Sequence, residues 1–372
     1  MLIGCPKEIK IQEGRVGLIP SSVADLVAAG HEVIIQTQAG TGIGCSDQDY
    51  IDAGAAIISS AEEVFAKADM IVKVKEPLAE ERSRLRKGQI LFTYLHLAPD
   101  LPQTDDLVNS GATCIAYETV TSRSGALPLL FPMSEVAGRL APQVGAQCLE
   151  NNGGGSGVLL GGVPGVDPAK VIIIGGGVSG TNAARVALGM GADVTIVDRN
   201  VDALRAAVDR FGTAVKTVYS NKDNIARLVK DADLVIGTVL VPGAAAPKLV
   251  TREMIKSMKA GSAIVDVAID QGGCFETSKA TTHAEPTYVV DEVVHYCVAN
   301  MPGCVARTSA FALNNATLPF TLAIANKGWK QALIDDEHLR GGLNVHAGHV
   351  TYKAVADAHG KVYVSTESIL GL

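Results

Sequence analysis

The sequence predicts an α/β fold of two domains, each built on a mostly parallel sheet, with the second domain inserted into a discontinuous first. Three observations lead there. At 372 residues the chain exceeds what one ordinary core organises. Short β-branched runs alternate with helical stretches, and that alternation runs its course twice. A tail then follows the second series, and it most simply returns to pack on the first. The bounds are 1–133 with 309–372 for the outer domain and 134–308 for the inner one.

In the first series LIG, HEVIIQ, MIVKV, QILFTYL and TCIAYE read as strands. Their near-continuous apolar character suits a sheet covered on both faces. SSVADLVAAG reads as a helix capped by Ser21 or Ser22 and stopped at Gly30, and AEEVFAKA and DLPQTDDLVNSG read likewise. A helical pattern from Ser134 to Glu150 follows, then NNGGGSGVLLGGVPGVDP, a glycine-dense connection or hairpin. The second series comprises VIIIGGG, VTIVD, AVKTVY, DLVIGT, SAIVDVA and TYVV. Ser309 to Lys327 reads as a helix kinked at Pro319, and HVTYKAVADAHG as a helix before an extended KVYVS.

Composition narrows the function classes. The chain is 47% hydrophobic and 19% charged, as a globular protein is. A net charge of −7 without a basic cluster argues against nucleic acid and anionic membrane as partners. No run approaches the roughly 20 apolar residues of a membrane span. The start, MLIGCPKEIK, lacks a signal-peptide core, and seven cysteines without C-x-x-C spacing read as reduced thiols of a cytoplasmic protein.

The most specific segment is VIIIGGGVSGTNAARVALGMGADVTIVD. Gly175, Gly177 and Gly180 form G-x-G-x-x-G after an apolar strand and before a helix. The first glycine permits the tight turn, the second lets backbone approach a pyrophosphate, and the third lets helix and strand pack closely. The helix N-terminus offers N–H groups to the phosphates. Asp198, eighteen positions after Gly180, ends the next strand, where a carboxylate accepts ribose hydroxyls and repels a 2′-phosphate. The expectation is a Rossmann-like nucleotide domain that binds NAD, set within a discontinuous, Rossmann-like substrate domain. Arg199 reads as a solvated surface charge.

Four places could carry chemistry. Arg15, in a loop, could hold a carboxylate bidentately or form a surface ion pair with Glu8 or Glu13. Lys73 and Lys75 alternate with valines at a strand end; either could be solvated, but Lys75 lies at the edge where ligands bind in open parallel sheets. His96 stands at another strand end, where a core or rim histidine is the plain alternative. Asp266 reads as a backbone cap, and Asp270 as either a turn residue or an acid/base. An arginine, a lysine, two proton carriers and a hydride acceptor would serve a 2-amino or a 2-hydroxy acid dehydrogenase, and spacing does not choose.

The chain resembles the bacterial L-alanine dehydrogenases along essentially its whole length. The resemblance is carried by IGCPKEIKIQEGRVGLIP, VKVKEP, LFTYLHLAPD, LLFPMSEVAGR, VLLGGVPGV, the glycine-motif segment, VDVAIDQGG and VANMPG. It implies reversible NAD-dependent deamination of L-alanine to pyruvate and ammonia. The related transhydrogenase α subunit, the alternative, lacks a histidine and an aspartate like His96 and Asp270. The resemblance further implies that Arg15 binds the substrate carboxylate and Lys75 the carbonyl oxygen, with His96 and Asp270 as the acid/base pair. For NAD it implies Ser134, Val178, Ser179, Asp198, Ser220, Val239, Leu240, Val267, Ala268, Ile269, Asp270, Lys279, Val298, Ala299, Asn300 and Met301, beside the three glycines. Two departures stand out. Ala203 replaces a basic residue the family often carries after the ribose acid, with Arg205 nearby, and Ala323 and Lys327 replace a glutamate and a histidine linked to a divalent metal, so no metal is expected. The family is hexameric.

Overall fold

A computed structural model describes residues 1–239 and 246–372. The chain forms two compact units, one of Met1–Met133 with Val305–Leu372 and one of Ser134–Cys304. No helix among the described residues is long and apolar enough to cross a membrane.

In chain order the strands are β1 (Leu2–Cys5), β2 (Glu32–Gln36), β3 (Ala56–Ile58), β4 (Met70–Val72), β5 (Ile90–Thr93) and β6 (Thr113–Ala116). Next come β7 (Lys170–Ile174), β8 (Asp193–Asp198), β9 (Val215–Tyr219), β10 (Leu234–Gly237), β11 (Ala263–Asp266), β12 (Thr287–Val290) and β13 (Val293–Tyr296). A last pair, β14 (Leu343–His346) and β15 (His349–Val350), closes the list.

The first unit holds an eight-stranded sheet in the order β15-β14-β6-β5-β4-β1-β2-β3. From β3 to β6 it is parallel, while β14 runs antiparallel to β6 and to β15. Successive strand residues point to opposite faces. Met70, Val72, Ile90 and Phe92 thus join one apolar cluster, and Ile71 and Leu91 the other. Both faces are buried, which is why these strands carry no polar alternation.

The second unit holds seven strands in the order β12-β13-β11-β10-β7-β8-β9, parallel except for the β12–β13 hairpin. Taken in sequence, its six parallel strands follow the doubly wound 3-2-1-4-5-6 order. The chain reverses direction of growth between β7 and β10, so their C-terminal ends flank the crevice where such sheets take ligands.

Several elements differ from expectation. The first helix is Pro20–Ala28, preceded by Ile19, and no serine side chain caps it. Proline at its first turn lacks the N–H a cap would satisfy and comes with helical φ already set. β4 stops at Val72, so Lys73 and Lys75 lie in the loop beyond it. β3, β13 and the β14–β15 hairpin are strands the sequence did not announce. His349 and Val350 pair with β14 instead of starting a helix, which is Lys353–His359, and of KVYVS only Tyr363 bridges to Val350. The late helix begins at Ala306, three residues before Ser309, and runs to Lys327 with Pro319 inside it.

Candidate active site

In the first unit β1, β4, β5 and β6 are neighbours and parallel, so the loops after them share one edge of the sheet. Those loops deliver Glu8, Glu13 and Arg15, then Lys73 and Lys75, then His96, then Glu118.

Arg15 is buried, and Glu13 grips one side of its guanidinium: Nε to Oε1 is 2.7 Å and Nη2 to Oε2 2.6 Å. Nη1 lies 3.0 Å from the sulfur of Met133. Burial disfavours the guanidinium charge, but the Glu13 carboxylate outweighs it and holds the pKa above its usual value. The surface ion pair considered for Arg15 is therefore a buried, bidentate one, with Glu13 as partner.

The solvated reading of Lys73 is overturned. Its side chain is fully buried, 3.0 Å from Glu8 Oε2 and 2.6 Å from Glu81 Oε1. The other oxygen of Glu8 accepts the N–H of Val74 at 2.7 Å and of Lys75 at 3.3 Å. Burial raises the Glu8 pKa against the pull of Lys73, whereas the two carboxylates keep Lys73 protonated despite burial. The triad thus clamps the backbone on which Lys75 rides. Lys75 itself is mostly covered, its Nζ 3.3 Å from Glu76 Oε2. Burial favours a neutral Glu76, but Lys75 and Lys10 prevail and hold its carboxyl below the usual range.

His96 is about half exposed and adopts a left-handed backbone, φ 51°. Its ring stacks on Tyr94 at 5.8 Å between centroids, with 7° between the planes. The Tyr94 hydroxyl donates to the Leu129 carbonyl at 2.5 Å; burial raises its pKa while Arg15 opposes.

In the second unit the glycine turn has the shape the motif demands. Gly175 has φ 109°, and a Cβ on Gly180 would stand 1.8 Å from the Gly175 carbonyl oxygen. At Gly177 a Cβ would meet nothing within 4 Å. The chain itself thus imposes no reason for glycine there, whereas a pyrophosphate seated against the backbone would. Val178 opens the helix Val178–Gly189, and the Ser179 hydroxyl donates to the Ser134 carbonyl at 2.9 Å. Asp198 accepts the N–H of Gly176 at 2.6 Å and of Asn200 at 2.7 Å, and its carbonyl accepts the Ser220 N–H at 2.9 Å. Ser134, the glycine turn, Asp198 and Ser220 are thus connected. Ala203 faces the turn, 3.5 Å from where a Cβ on Gly176 would lie. Arg205 is turned outward onto Asp202, and Arg199 is exposed. The residues suit an adenine dinucleotide.

At the neighbouring strand ends, Val239 is partly buried after β10, and Leu240 lies outside the described residues. Val267, Ala268, Ile269 and Asp270 form a 3₁₀ turn, Val267–Gln271, capped by buried Asp266. Asp266 accepts the N–H of Ala268 at 3.1 Å and of Cys274 at 3.0 Å, and the Ser278 hydroxyl at 2.5 Å. Burial raises its pKa against those donors. Asp270 is exposed and accepts the Asn300 N–H at 3.1 Å, where Asn300 has φ 59°. Val298 and Met301 are buried, and Ala299 N–H reaches Thr281 O at 3.2 Å. Lys279 is exposed, and its N–H donates to Tyr288 Oη at 2.7 Å. Lys327, at the place of the family's metal histidine, pairs with Asp335 at 2.6 Å.

Sequence reasoning missed Glu81, Tyr94 and Glu118. None carries a pattern: each is one acid or one aromatic in a short helix, a turn or a strand end, and only the fold reveals its neighbour.

Comparison with known proteins agrees along the whole chain. Residues 4–137 match the family model "Alanine dehydrogenase/PNT, N-terminal domain" and 141–353 its C-terminal counterpart. An alanine dehydrogenase of Halomonas elongata is 60% identical over 371 residues, covering 100% of both chains. A solved L-alanine dehydrogenase superposes with a TM-score of 0.94 at 54% identity, covering 97% of this chain and 99% of its own. A transhydrogenase structure from Sinorhizobium meliloti has a TM-score of 0.82 at 26% identity, covering 95% and 100%.

Proposed function

The chain belongs to the alanine dehydrogenase/PNT family, and from that membership we propose that it catalyses the reversible NAD-dependent oxidative deamination of L-alanine to pyruvate and ammonia. The single observation that carries this reading is full-length identity of 60% to an alanine dehydrogenase, against 26% to the transhydrogenase.

The glycine turn, Asp198 and the 267–270 and 298–301 segments would hold NAD, which when bound accepts the hydride from the substrate Cα. Arg15 binds the substrate carboxylate, and its guanidinium, held in place by Glu13, sets the substrate's orientation. Lys75 holds the oxygen that becomes the pyruvate carbonyl, its ammonium steadied by a backbone tied to Glu8. Loss of hydride leaves an imine that water must attack. His96 and Asp270 take the proton from that water and return one to the departing ammonia. Lysine and arginine meanwhile stabilise the oxygen charge that develops. A homohexameric, cytoplasmic enzyme completes the reading, supported by the family resemblance and by seven unpaired cysteines.

The test is NADH consumption with pyruvate, with and without ammonium. Strict dependence on ammonium supports the reading. Turnover without it indicates a 2-hydroxy acid dehydrogenase, and NADH binding without turnover a transhydrogenase-like subunit. His96→Ala should lose roughly 10²–10⁴-fold in turnover while folding normally.

A further inference from the structure

We infer that Glu118 is the positioning residue that presents His96 to the reaction. The inference rests on the reading of His96 as a proton carrier. Glu118 stands on the short turn Tyr117–Thr119 that ends β6, beside the end of β5, where Thr93 is in register with Ala116. Its Oε1 accepts the His96 N–H at 2.6 Å and the Leu95 N–H at 3.2 Å, and its Oε2 lies 3.2 Å from the same Leu95 nitrogen. The same Oε1 is 4.0 Å from His96 Nδ1.

Two successive backbone N–H groups converge on one anion only when the chain makes an unusual turn. The left-handed φ at His96 makes that turn, a conformation uncommon for a residue with a side chain. The Glu118 carboxylate holds it in place. The flanking backbone is pinned too: Gln103 Nε2 donates to Leu95 O at 2.5 Å, and His359 Nε2 meets Leu97 O at 2.8 Å. Tyr94 covers one face of the imidazole. The ring can therefore leave its place only by rotating about its own side-chain bonds, and the carboxylate stands 4.0 Å from its Nδ1. Glu118 is mostly covered, with a side-chain exposure of 13% against 48% for His96. It acts through the histidine.

The experiment compares Glu118→Ala, Glu118→Gln, Glu118→Asp, His96→Ala and the double variant His96→Ala/Glu118→Ala in alanine oxidation, with melting temperatures. Glu118→Ala should lower kcat by on the order of 10²-fold with KM for L-alanine little changed. Glu118→Gln, whose amide oxygen still accepts both N–H groups, should recover most of that loss. The double variant should be no slower than His96→Ala. If Glu118→Ala does not fold, Glu118→Asp serves, since a carboxylate one methylene short keeps the charge but misses the clamp and should be slow. Should His96→Ala keep full turnover, the reading of His96 itself fails. His96→Ala collapsing while Glu118→Ala or Glu118→Asp stays at wild-type kcat would overturn the inference alone, as would additive losses in the double variant.

Discussion

Lys73 shows what one side chain can do that no pattern announces. Three charges, Lys73, Glu8 and Glu81, lie buried together, an arrangement that gains little net stability over apolar residues. Removing one partner is another matter. Lys73→Met should destabilise the fold by about 3–5 kcal/mol in denaturant unfolding, because two carboxylates would then face each other without a cation. At this scale legibility followed position. Arg15, Lys75, His96 and Asp270 could be singled out because charge in an otherwise apolar or glycine-bounded stretch is unusual. Lys73 could not be sorted from Lys75, since both alternate with valine and only the end of β4 at Val72 separates their fates. Glu118 was silent for the opposite reason: an acid in YET resembles any solvated loop acid, and its partner is reached only through the fold.

Among the elements, the glycine turn separates structural from functional glycine. Gly180→Ala forces a Cβ to 1.8 Å from a carbonyl oxygen, and should cost about 2 kcal/mol or more. Gly177→Ala meets no protein atom within 4 Å, so it should melt as wild type yet bind NADH at least about 10-fold more weakly by titration. β13 supplies a pH-dependent element. His295 is buried with Nδ1 2.9 Å from Val293 O and Nε2 2.7 Å from Thr277 Oγ1. Burial, opposed by the Val293 carbonyl, lowers its pKa from 6.5. A lowered folded pKa means stability that is full above the unfolded value of 6.5 and lost as pH falls through the folded one. Melting temperature should therefore drop on going from about pH 8 to about pH 5, and His295→Gln should shrink that drop. The strongly apolar strands and the glycine-closed helices were legible because each combines a pattern with a stop. β13 went unannounced because the turn before it, Asp291-Glu292, reaches positive φ at both residues without the usual Asn or Gly. β14 and β15, four and two residues joined at Ala347-Gly348, are too short and polar to announce a hairpin.

For the whole molecule, the two-sheet α/β class followed from strand–helix alternation alone, and the doubly wound order of the second sheet bears it out. Which strand lies beside which was not legible, because registry between distant segments leaves no local mark. The sheet of the second unit draws all its strands from one continuous stretch, β7 to β13. A fragment of residues 134–304 should therefore fold alone, seen as a cooperative melt by circular dichroism, whereas 1–133 should not.

That difference follows from β14 lying against β6. Thr113 and His346, joined by a 3.0 Å hydrogen bond, are 233 positions apart. A ribosome adding about 5–20 residues per second takes roughly ten to fifty seconds to supply the missing strand. Throughout that interval β6 is an open edge, the kind of strand that recruits other chains. Synthesis is thus the moment at which this protein is most exposed to aggregation, and the last strands of the chain are what bring that exposure to a close.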